Sequence, residues 1–371
     1  MAYPKVSIIW LNYNSMKILP LVLQSLESIA NLDYPGDRFE LIVVDNGSTD
    51  GSFEKIREFL EKKTGLRKKV IKLGKNLGFT GGNNVGFRAR DSESKYVVLL
   101  NNDAIPFPES LRDLVECAEM RNDIGAVQGV VLDLDSGKVD TAGDMLSELL
   151  VGAQLYQGRD PGDVKDSYYV TYADGAYSLY RVEAVRKATG FQDKLFYDEM
   201  FAYFDDSVLG LQLWDAGFKI VSIPKKVALH RRSSTFRRVS PLKLYLTTRG
   251  YCALYEITNA RFKPFTQWMY TTYNIIGRIL TSPIIEYKVK QSDIVKAIYL
   301  GCRDGIRWGK RTLKSMGKQI NIYKAPLIKL APRILIPWFL GIGSAYGRKI
   351  FAKIITKEFE KRKHDYLVTS F

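Results

Sequence analysis

The chain has 371 residues, of which 46% are hydrophobic and 26% charged, and these ordinary values exclude an intrinsically disordered chain and a membrane protein with many spanning helices. The net charge of +15 is unevenly placed, because residues 231–371 hold 28 Lys and Arg against 7 Asp and Glu. This imbalance predicts two functional regions, the second of which meets something anionic, such as phospholipid or nucleic acid.

The first 133 residues alternate between predicted strands and helices. Short apolar runs with β-branched residues predict strands at Lys5–Leu11, Phe39–Asp45, Lys69–Leu73, Tyr96–Leu100 and Ala126–Leu132. Between them, apolar residues recur at helical spacing and predict helices around residues 19–26, 53–60 and 111–115. This alternation predicts an α/β fold with a mainly parallel sheet covered on both faces, which binds ligands at the carboxyl ends of its strands.

Polar segments follow three of these strands, where such a sheet would bind a ligand. They are Asp45–Gly51, Asn76–Asn84 and Asn101–Asp103. Asp45 could receive the ribose or base of a nucleotide, or it could close an Asx turn that caps the next helix. The second segment lacks the GxGxxG pattern and the chain contains no GxxxxGK[ST], which removes the main support for dinucleotide oxidoreductases and P-loop NTPases. Its amide-rich turn still suits an anion.

Acidic residues mark two further positions. Asp103 ends an apolar strand and is well placed to hold Mg²⁺ or Mn²⁺, although a polar turn that caps the strand would look the same. Asp205 and Asp206 precede a predicted helix, Ser207–Ala216, whose dipole favours ionised carboxylates and so a deprotonated general base. His230 follows an apolar run, where a lone histidine is usually structural.

In order along the chain, these motifs resemble the family 2 glycosyltransferases of the GT-A fold group, which includes rhamnosyltransferase-like enzymes of bacteria and archaea. The resemblance covers about residues 4–240. It rests on the segments Val6–Ile9, Asn12–Asn14, Val43–Asp50, Asn76–Asn84, Leu99–Asp103, Gly190–Phe191, Tyr203–Asp206, Ala216–Phe218 and His230. Each segment is weak alone, and the full series in this order is highly specific.

The resemblance implies an inverting enzyme that moves a sugar from a nucleotide-diphosphate sugar to an acceptor hydroxyl, with Asp206 as the catalytic base and Asp205 as the alternate. It also implies that Asn101–Asp103 stands in place of the DxD metal motif, with Asn101 as a departure from the strict motif, and that Asp103 and His230 hold Mn²⁺ or Mg²⁺. Asp45 would receive the nucleobase and converge with Asp103 and Asp206 on one sugar diphosphate. The nucleotide-sugar site as a whole is assigned to Asn12, Asn14, Asp45, Asn76, Gly78, Phe79, Gly81, Asn83, Asn101, Asn102 and Asp174.

A basic region, residues 239–371, is predicted to follow a catalytic domain of residues 1–238. Its apolar segments, 264–285 and 334–347, are interrupted or too short to span a membrane. The last predicted helix has one face of Phe351, Ile354, Ile355 and Phe359 and another of Lys349, Lys353, Lys357 and Lys361. This pattern predicts binding to an anionic membrane surface, near a glycan or lipid-linked acceptor. A helical bundle packed on the catalytic domain, with a solvated basic face, is the alternative.

Other classes of function have less support. No RRM, zinc-finger, KH or helix-turn-helix signature accompanies the positive charge, so nucleic acid is not an expected partner. A nucleotidyltransferase would need a Gly-rich loop near the N-terminus, and Val6–Asn14 contains no glycine. A non-catalytic binder of nucleotide sugars stays open. The run Val6–Leu11 is too short for a signal peptide and the three cysteines lack CxxC spacing, so we expect a peripheral protein on the cytoplasmic face of the cell membrane.

Overall fold

The structure is a computed structural model that describes residues 3–231, 240–264, 267, 268, 271, 290–329 and 345–368. Its strands are β1 (Val6–Asn12), β2 (Phe39–Asp45), β3 (Lys68–Lys72), β4 (Tyr96–Asn101), β5 (Ala104–Pro106), β6 (Ile124–Asp133), β7 (Val139–Thr141), β8 (Asp144–Ser147), β9 (Gly152–Gln154), β10 (Tyr168–Tyr169), β11 (Tyr177–Arg181), β12 (Lys219–His230) and β13 (Leu327–Ile328). Its helices are α1 (Leu19–Ala30), α2 (Ser52–Glu61), α3 (Gly78–Ala89), α4 (Ser110–Met120), α5 (Val182–Thr189), α6 (Asp205–Asp215), α7 (Pro241–Ile257), α8 (Gln291–Met316) and α9 (Ala345–Lys361).

The main sheet confirms the predicted α/β class. Within the described residues its strand order is β10-β12-β6-β11-β4-β1-β2-β3, with β5 added to β12 and β7 to β6. Strands β1 to β4 are mutually parallel, and β11 runs antiparallel to both β4 and β6. The sheet is therefore mixed but mostly parallel, and the ends of β1, β2 and β4 meet at one edge.

Alternating side chains of the central strands face two separate hydrophobic clusters. In β1, Ile8 and Trp10 pack with α1 and α4 on one face, whereas Ile9 packs with α3 on the other. In β4, Val97 and Val98 divide between the same two clusters. Because successive residues of a strand point to opposite faces, a continuously apolar strand requires cover on both sides. The helices on the two faces of the sheet supply that cover.

The described C-terminal elements pack against the sheet. Helix α7, with Tyr251 and Tyr255, belongs to the same hydrophobic cluster as the sheet residues Val97 and Leu99. Strand β13 pairs in parallel with β8, in a second, three-stranded sheet with β9. From α9, Phe359 is fully buried and stacks on Tyr366 with ring centroids 5.2 Å apart. The predicted boundary at residue 238 stays a prediction, although the described elements on its two sides share one core.

Part of the membrane prediction is wrong in its detail. Ile355 and Phe359, which were assigned to a bilayer-facing surface, are buried inside the protein. The packed-bundle alternative describes these residues better, since Lys353, Lys357 and Lys361 are exposed on the opposite side. The side chains of Lys349 and Phe351, and most of segments 264–285 and 334–347, lie outside the described residues. In the part that is described, no helix has both the length and the apolar character needed to cross a bilayer.

Candidate active site

A cavity of about 330 Å³ opens at the sheet edge where the polar segments follow their strands. Its walls come from the ends of β1, β4 and β12, the loop before β11, the start of α3 and the first turns of α6 and α7. The predicted site residues that line it are Asn76, Gly78, Phe79, Asn101, Asn102, Asp103, Asp174, Asp205, Asp206 and His230. Those that do not line it are Asn12, Asn14, Asp45, Gly81 and Asn83. Most of the separated motifs therefore meet at one place.

Asp45 lies behind the cavity wall. Its Oδ1 accepts a hydrogen bond from Asn12 Nδ2 at 2.8 Å, and its Oδ2 accepts one from the Ser48 backbone N–H at 3.0 Å. The side chain is fully buried and its bond to Ser48 closes a turn after β2, but it does not cap α2, which begins at Ser52. Its link to the cavity is indirect, because Asn12 Oδ1 accepts from the lining residue Asn102 at 3.1 Å. Its role toward a nucleobase stays a prediction.

The asparagines of the predicted site hold loops in place. Asn14 Oδ1 accepts from the Thr49 N–H at 2.9 Å and so joins the loops after β1 and β2. Asn46 donates from Nδ2 to Asn76 Oδ1 at 3.0 Å and thereby ties the loop after β2 to the turn before α3. Asn83 Nδ2 donates to a backbone carbonyl one turn earlier in its own helix, at 2.9 Å. These bonds fix the backbone at the cavity mouth.

The glycines of the second segment permit close packing. A Cβ at Gly82 or Gly86 would overlap Leu11 or Ile9 of β1, so these glycines let α3 lie directly on the sheet. Gly78 has φ +77°, and a Cβ there would overlap the carbonyl oxygen of Phe201. A side chain at Gly78 would therefore push apart two walls of the cavity.

His230 lies between two buried carboxylates. Its Nε2 is 3.3 Å from Asp103 Oδ1, and its Nδ1 is 2.9 Å from Asp140 Oδ2. Burial alone would lower the pKa of His230, but hydrogen bonds to Asp103 and Asp140 outweigh burial and raise the pKa to about 10. A metal ion at this position would displace the proton on Nε2. Asp103 Oδ1 and the deprotonated Nε2, with Nδ1 held by Asp140, would then be a donor set that suits Mn²⁺ or Mg²⁺.

This donor set is small. The described residues contain no group of three or more His, Cys, Asp or Glu side chains that could hold a metal ion by itself. Asn101, which stands where the strict motif has a second aspartate, also lines the cavity and adds an amide oxygen without charge. Mg²⁺ sites in proteins commonly use one or two carboxylates and take further oxygens from bound phosphates. Asp103 and His230 fit that pattern.

Asp205 and Asp206 open α6, as predicted, but the direction expected for their pKa values is wrong. Burial is the main cause that raises the pKa of Asp205 to about 7, with Asp174 as a further cause. Burial also raises the pKa of Asp206, and the negative charges of Asp205 and Asp174 raise it further. The helix dipole is outweighed because three acidic side chains share one poorly solvated site.

Asp206 has one engaged oxygen and one that is free of partners. Its Oδ2 accepts from the Gly175 N–H at 3.2 Å, while Oδ1 is buried and has no hydrogen-bond partner among the described residues. A Cβ at Gly175 would lie 3.3 Å from that oxygen and 2.8 Å from the Phe79 ring, so glycine keeps this corner of the cavity open. An unpartnered carboxylate oxygen with a raised pKa is suited to proton transfer.

The loop before α6 is strained. Phe201, Tyr203 and Phe204 have φ values of 62°, 72° and 66°, a region that aromatic residues rarely adopt. Such conformations cost about 1–3 kcal/mol each and persist when their surroundings impose them. Here α7 imposes them, since Arg249 Nη2 donates to the carbonyl of Met200 and the Phe204 ring packs 5.8 Å from that of Tyr251.

Nine residues that line the cavity were not among the predicted site residues: Leu11, Tyr13, Asn46, Gly175, Ala176, Phe201, Ala202, Tyr203 and Lys243. Tyr13 and Asn46 adjoin predicted residues, and Gly175 belongs to an Asp-Gly turn signal just before β11. Lys243 lies beyond the predicted end of the catalytic domain, and no local pattern connects it to the cavity that it lines.

Comparison with known proteins gives matches to one family. Residues 7–189 match the model for glycosyl transferase family 2. The probable glycosyltransferase YdaM of Bacillus subtilis is 25% identical over 237 residues, which cover 63% of this chain and 52% of YdaM. The poly(ribitol-phosphate) beta-N-acetylglucosaminyltransferase TarS of Staphylococcus aureus is 33% identical over 110 residues, 29% of this chain and 18% of TarS. The chain thus spans about half or less of the length of these relatives.

Solved structures share the fold. The structure of TarS residues 1–349 in complex with UDP-GlcNAc aligns with a TM-score of 0.53 and 15% sequence identity, and the alignment covers 96% of this chain and 92% of that one. Identity this low shows the fold alone. The GT-A arrangement expected from the sequence is confirmed.

Proposed function

Residues 7–189 belong to glycosyl transferase family 2, and from this premise we propose that the chain moves a sugar from a nucleotide-diphosphate sugar to an acceptor hydroxyl. One observation carries the proposal: a single cavity holds two carboxylate sites of different character. Asp103 lies 3.3 Å from the imidazole Nε2 of His230, whereas Asp206 presents a buried oxygen with no partner among the described residues. The first site suits a diphosphate with its counter-charge, and the second suits the removal of a proton.

The donor would lie across the turn at the start of α3. Backbone N–H groups in the first turn of a helix lack helical partners and attract anions, and Gly78 begins this helix at the cavity wall. The TarS structure with the same fold holds UDP-GlcNAc, which supports a nucleotide sugar as the ligand class. Phe79 offers an aromatic surface to the sugar or base at the same wall.

Asp103 and His230 would hold Mn²⁺ or Mg²⁺, and Asp140 would keep the imidazole oriented with its Nε2 toward the cation. When bound, such an ion offsets the negative charge of the departing diphosphate. The protein contributes the carboxylate, the imidazole and a poorly solvated cavity in which that charge interaction is strong.

Asp206 is the proposed base. Its free Oδ1 takes the proton of the acceptor hydroxyl, the acceptor oxygen forms a bond to the anomeric carbon, and the bond from that carbon to the diphosphate oxygen breaks. A single direct displacement inverts the anomeric configuration. Asp205 and Asp174 support the step, since their negative charges raise the pKa of Asp206 and make it a stronger base.

We propose that the acceptor is a glycan or lipid-linked molecule at an anionic membrane surface. The name of TarS refers to a phosphate-linked polyol polymer, which supports a glycan or other cell-surface polymer as the acceptor. The exposed lysines of α9 support contact with an anionic membrane surface. A lipid-linked acceptor at the cytoplasmic membrane face remains our expectation.

A thermal-shift screen tests donor binding. A panel of nucleotide sugars is added to the full chain with and without Mn²⁺, and a donor at about 100 times its Kd should stabilise the protein by about 2.7 kcal/mol. Asp103→Asn should remove the Mn²⁺-dependent part of the shift, while Asp113→Asn, outside the cavity, should not. A panel in which no nucleotide sugar shifts the melting temperature would contradict the proposal. Donor binding without sugar transfer to any acceptor would favour the non-catalytic alternative.

A further inference from the structure

A second groove lies on the outer side of α7 and α8. It has a volume of about 640 Å³, and its wall includes Arg249, Arg307, Lys310 and Arg311. Trp308 forms part of its floor and is almost fully buried. The sequence pointed to this region only as basic, and the proposed transfer reaction uses none of these side chains.

The groove carries uncompensated positive charge. Its two acidic residues are Glu199 and Asp304, and Asp304 is already paired with Arg303 at 2.9 Å and accepts a hydrogen bond from Tyr245 at 3.1 Å. Within the described residues, the cations of α8 in the groove, Arg307, Lys310 and Arg311, form no ion pair. Residues 307 and 311 are four apart and so lie on the same face of the helix. Two guanidinium groups on one face, with an ammonium beside them, match an anion that has several oxygens.

The groove adjoins the active-site cavity. Glu199 lines the groove and Phe201 lines the cavity, so their Cα atoms are at most about 7 Å apart along the chain. On α7, Lys243 lines the cavity and Tyr245, two residues later, lines the groove. Arg249 connects the groove to the cavity, because it lines the groove and donates a hydrogen bond to the Met200 carbonyl at the start of the strained loop. A ligand in the groove would therefore lie beside the wall of the active-site cavity.

The helices that form the groove are held rigidly together. A Cβ at Gly301 would lie 2.6 Å from the Tyr245 carbonyl, one at Gly305 would overlap the Arg249 carbonyl, and one at Gly309 would lie 3.0 Å from the Ala253 carbonyl. The contacts advance along both helices in the same direction, so α7 and α8 run parallel with their backbones in close contact. The close packing of the two helices thus fixes the backbone positions from which the cations of the groove extend.

We propose that this groove binds a phosphate group of the acceptor and so orients the acceptor hydroxyl toward Asp206. The inference rests on the proposed function and adds the chemical class of the acceptor, a phosphate-bearing glycan or lipid. Phosphate is favoured over a carboxylate because a phosphate monoester carries up to two charges and three terminal oxygens for the cations lining one site.

The test uses the full chain and two variants. Arg307→Gln with Arg311→Gln removes two cations from the groove, and Lys296→Gln with Lys314→Gln removes two exposed cations of the same helix outside it. Binding is measured for three soluble probes, glycerol 3-phosphate, a glycerol phosphate oligomer and galacturonate, and for phosphatidylcholine vesicles containing phosphatidic acid. We expect the groove variant to weaken binding of a phosphate probe by about tenfold or more, and the control variant to leave it within about twofold.

The outcomes separate the sources of the phosphate. Loss of vesicle binding in the groove variant alone would assign a lipid phosphate, whereas loss of oligomer binding would assign a soluble polymer. Equal weakening in both variants, equally tight binding of galacturonate, or no binding of any phosphate probe would overturn the proposal. These measurements need no donor, so they remain interpretable if the nucleotide-sugar screen fails. Where transfer is measurable, the groove variant should raise KM for the acceptor and leave KM for the donor unchanged.

Discussion

Replacement of Asp206 by Asn tests the proposed base with little change in shape. Asp206 Oδ2 accepts from the Gly175 N–H at 3.2 Å, and the amide oxygen of Asn can accept the same bond. The variant loses the proton acceptor, because an amide does not take up a proton near neutral pH. We expect kcat to fall about 10²–10⁴-fold, the usual contribution of a positioned general base.

The loss should appear in the chemical step. A thousandfold fall in kcat corresponds to about 4 kcal/mol of lost transition-state stabilisation. Asp206 makes no expected contact with the nucleotide, and Asn keeps the volume of the side chain, so Kd for the donor should change by less than about threefold. Single-turnover release of nucleoside diphosphate gives the rate of the step, and calorimetric titration gives Kd. Asp163→Asn, an exposed site outside the cavity, is the matched control.

The pH profile adds an independent check. Burial and the charges of Asp205 and Asp174 raise the pKa of Asp206, and the base acts only when deprotonated. The wild-type rate should therefore rise with pH over a range that lies above the usual pKa of an aspartate, and the residual rate of the Asn variant should lack this rise. A variant that keeps a kcat within about threefold of the wild type, with the same pH profile, would remove Asp206 from the reaction.

Three further predictions concern stability and the cavity wall. Gly78→Ala should lower the melting temperature and weaken donor binding, because the new Cβ would overlap a cavity wall. Gly137 is the control, since it has a similar positive φ but no atom within 4 Å of the position that a Cβ would take, and Gly137→Ala should lower the free energy of unfolding by only about 1 kcal/mol. Asp205→Asn should raise the free energy of unfolding in urea titrations at pH 8 but not at pH 4. Because the folded protein raises the pKa of Asp205 to about 7, this carboxyl stabilises the fold below its unfolded pKa, and that stability is lost as the pH rises through 7. Equal effects of the substitution at both pH values would contradict this. Phe359→Ala should lower the free energy of unfolding by about 3–5 kcal/mol in the same titration. Phe262 is 47% exposed, so Phe262→Ala should lower it by well under half of that amount. A Phe359→Ala variant as stable as the wild type would show that α9 does not pack as described.

Local patterns in the sequence were enough for the elements of the first half and for the family. The runs that become β1, β2 and β4 contain four or five consecutive apolar residues, a length typical of a buried strand and short for a helix. The polar segments after those strands share one sheet edge, which follows from parallel topology alone. The assignment of Asp103 and Asp206, 103 residues apart, to one site came from the family resemblance, because Asp206 opens a helix and does not follow one of these strands.

The sequence misjudged features that depend on distant neighbours. Asp140 holds His230 from a strand 90 positions away, and Lys243 enters the cavity from beyond the predicted domain boundary. Asp45 accepts hydrogen bonds from Asn12 and from the Ser48 backbone, and its spacing from these residues in the sequence did not show that they would be its partners.

Tertiary structure also decided the charge state of the acidic pair and the surroundings of the last helix. A helix dipole is visible in sequence and favours ionised Asp205, but burial beside Asp174 reverses the effect on its pKa. The apolar face of α9 is equally visible, yet only the fold shows that Phe359 meets Tyr168 and Tyr366 and not a bilayer. Periodicity determines which side of an element is apolar or charged, because it depends on residues a few positions apart. What that side contacts, and how much water reaches it, depends on residues brought together from remote parts of the chain.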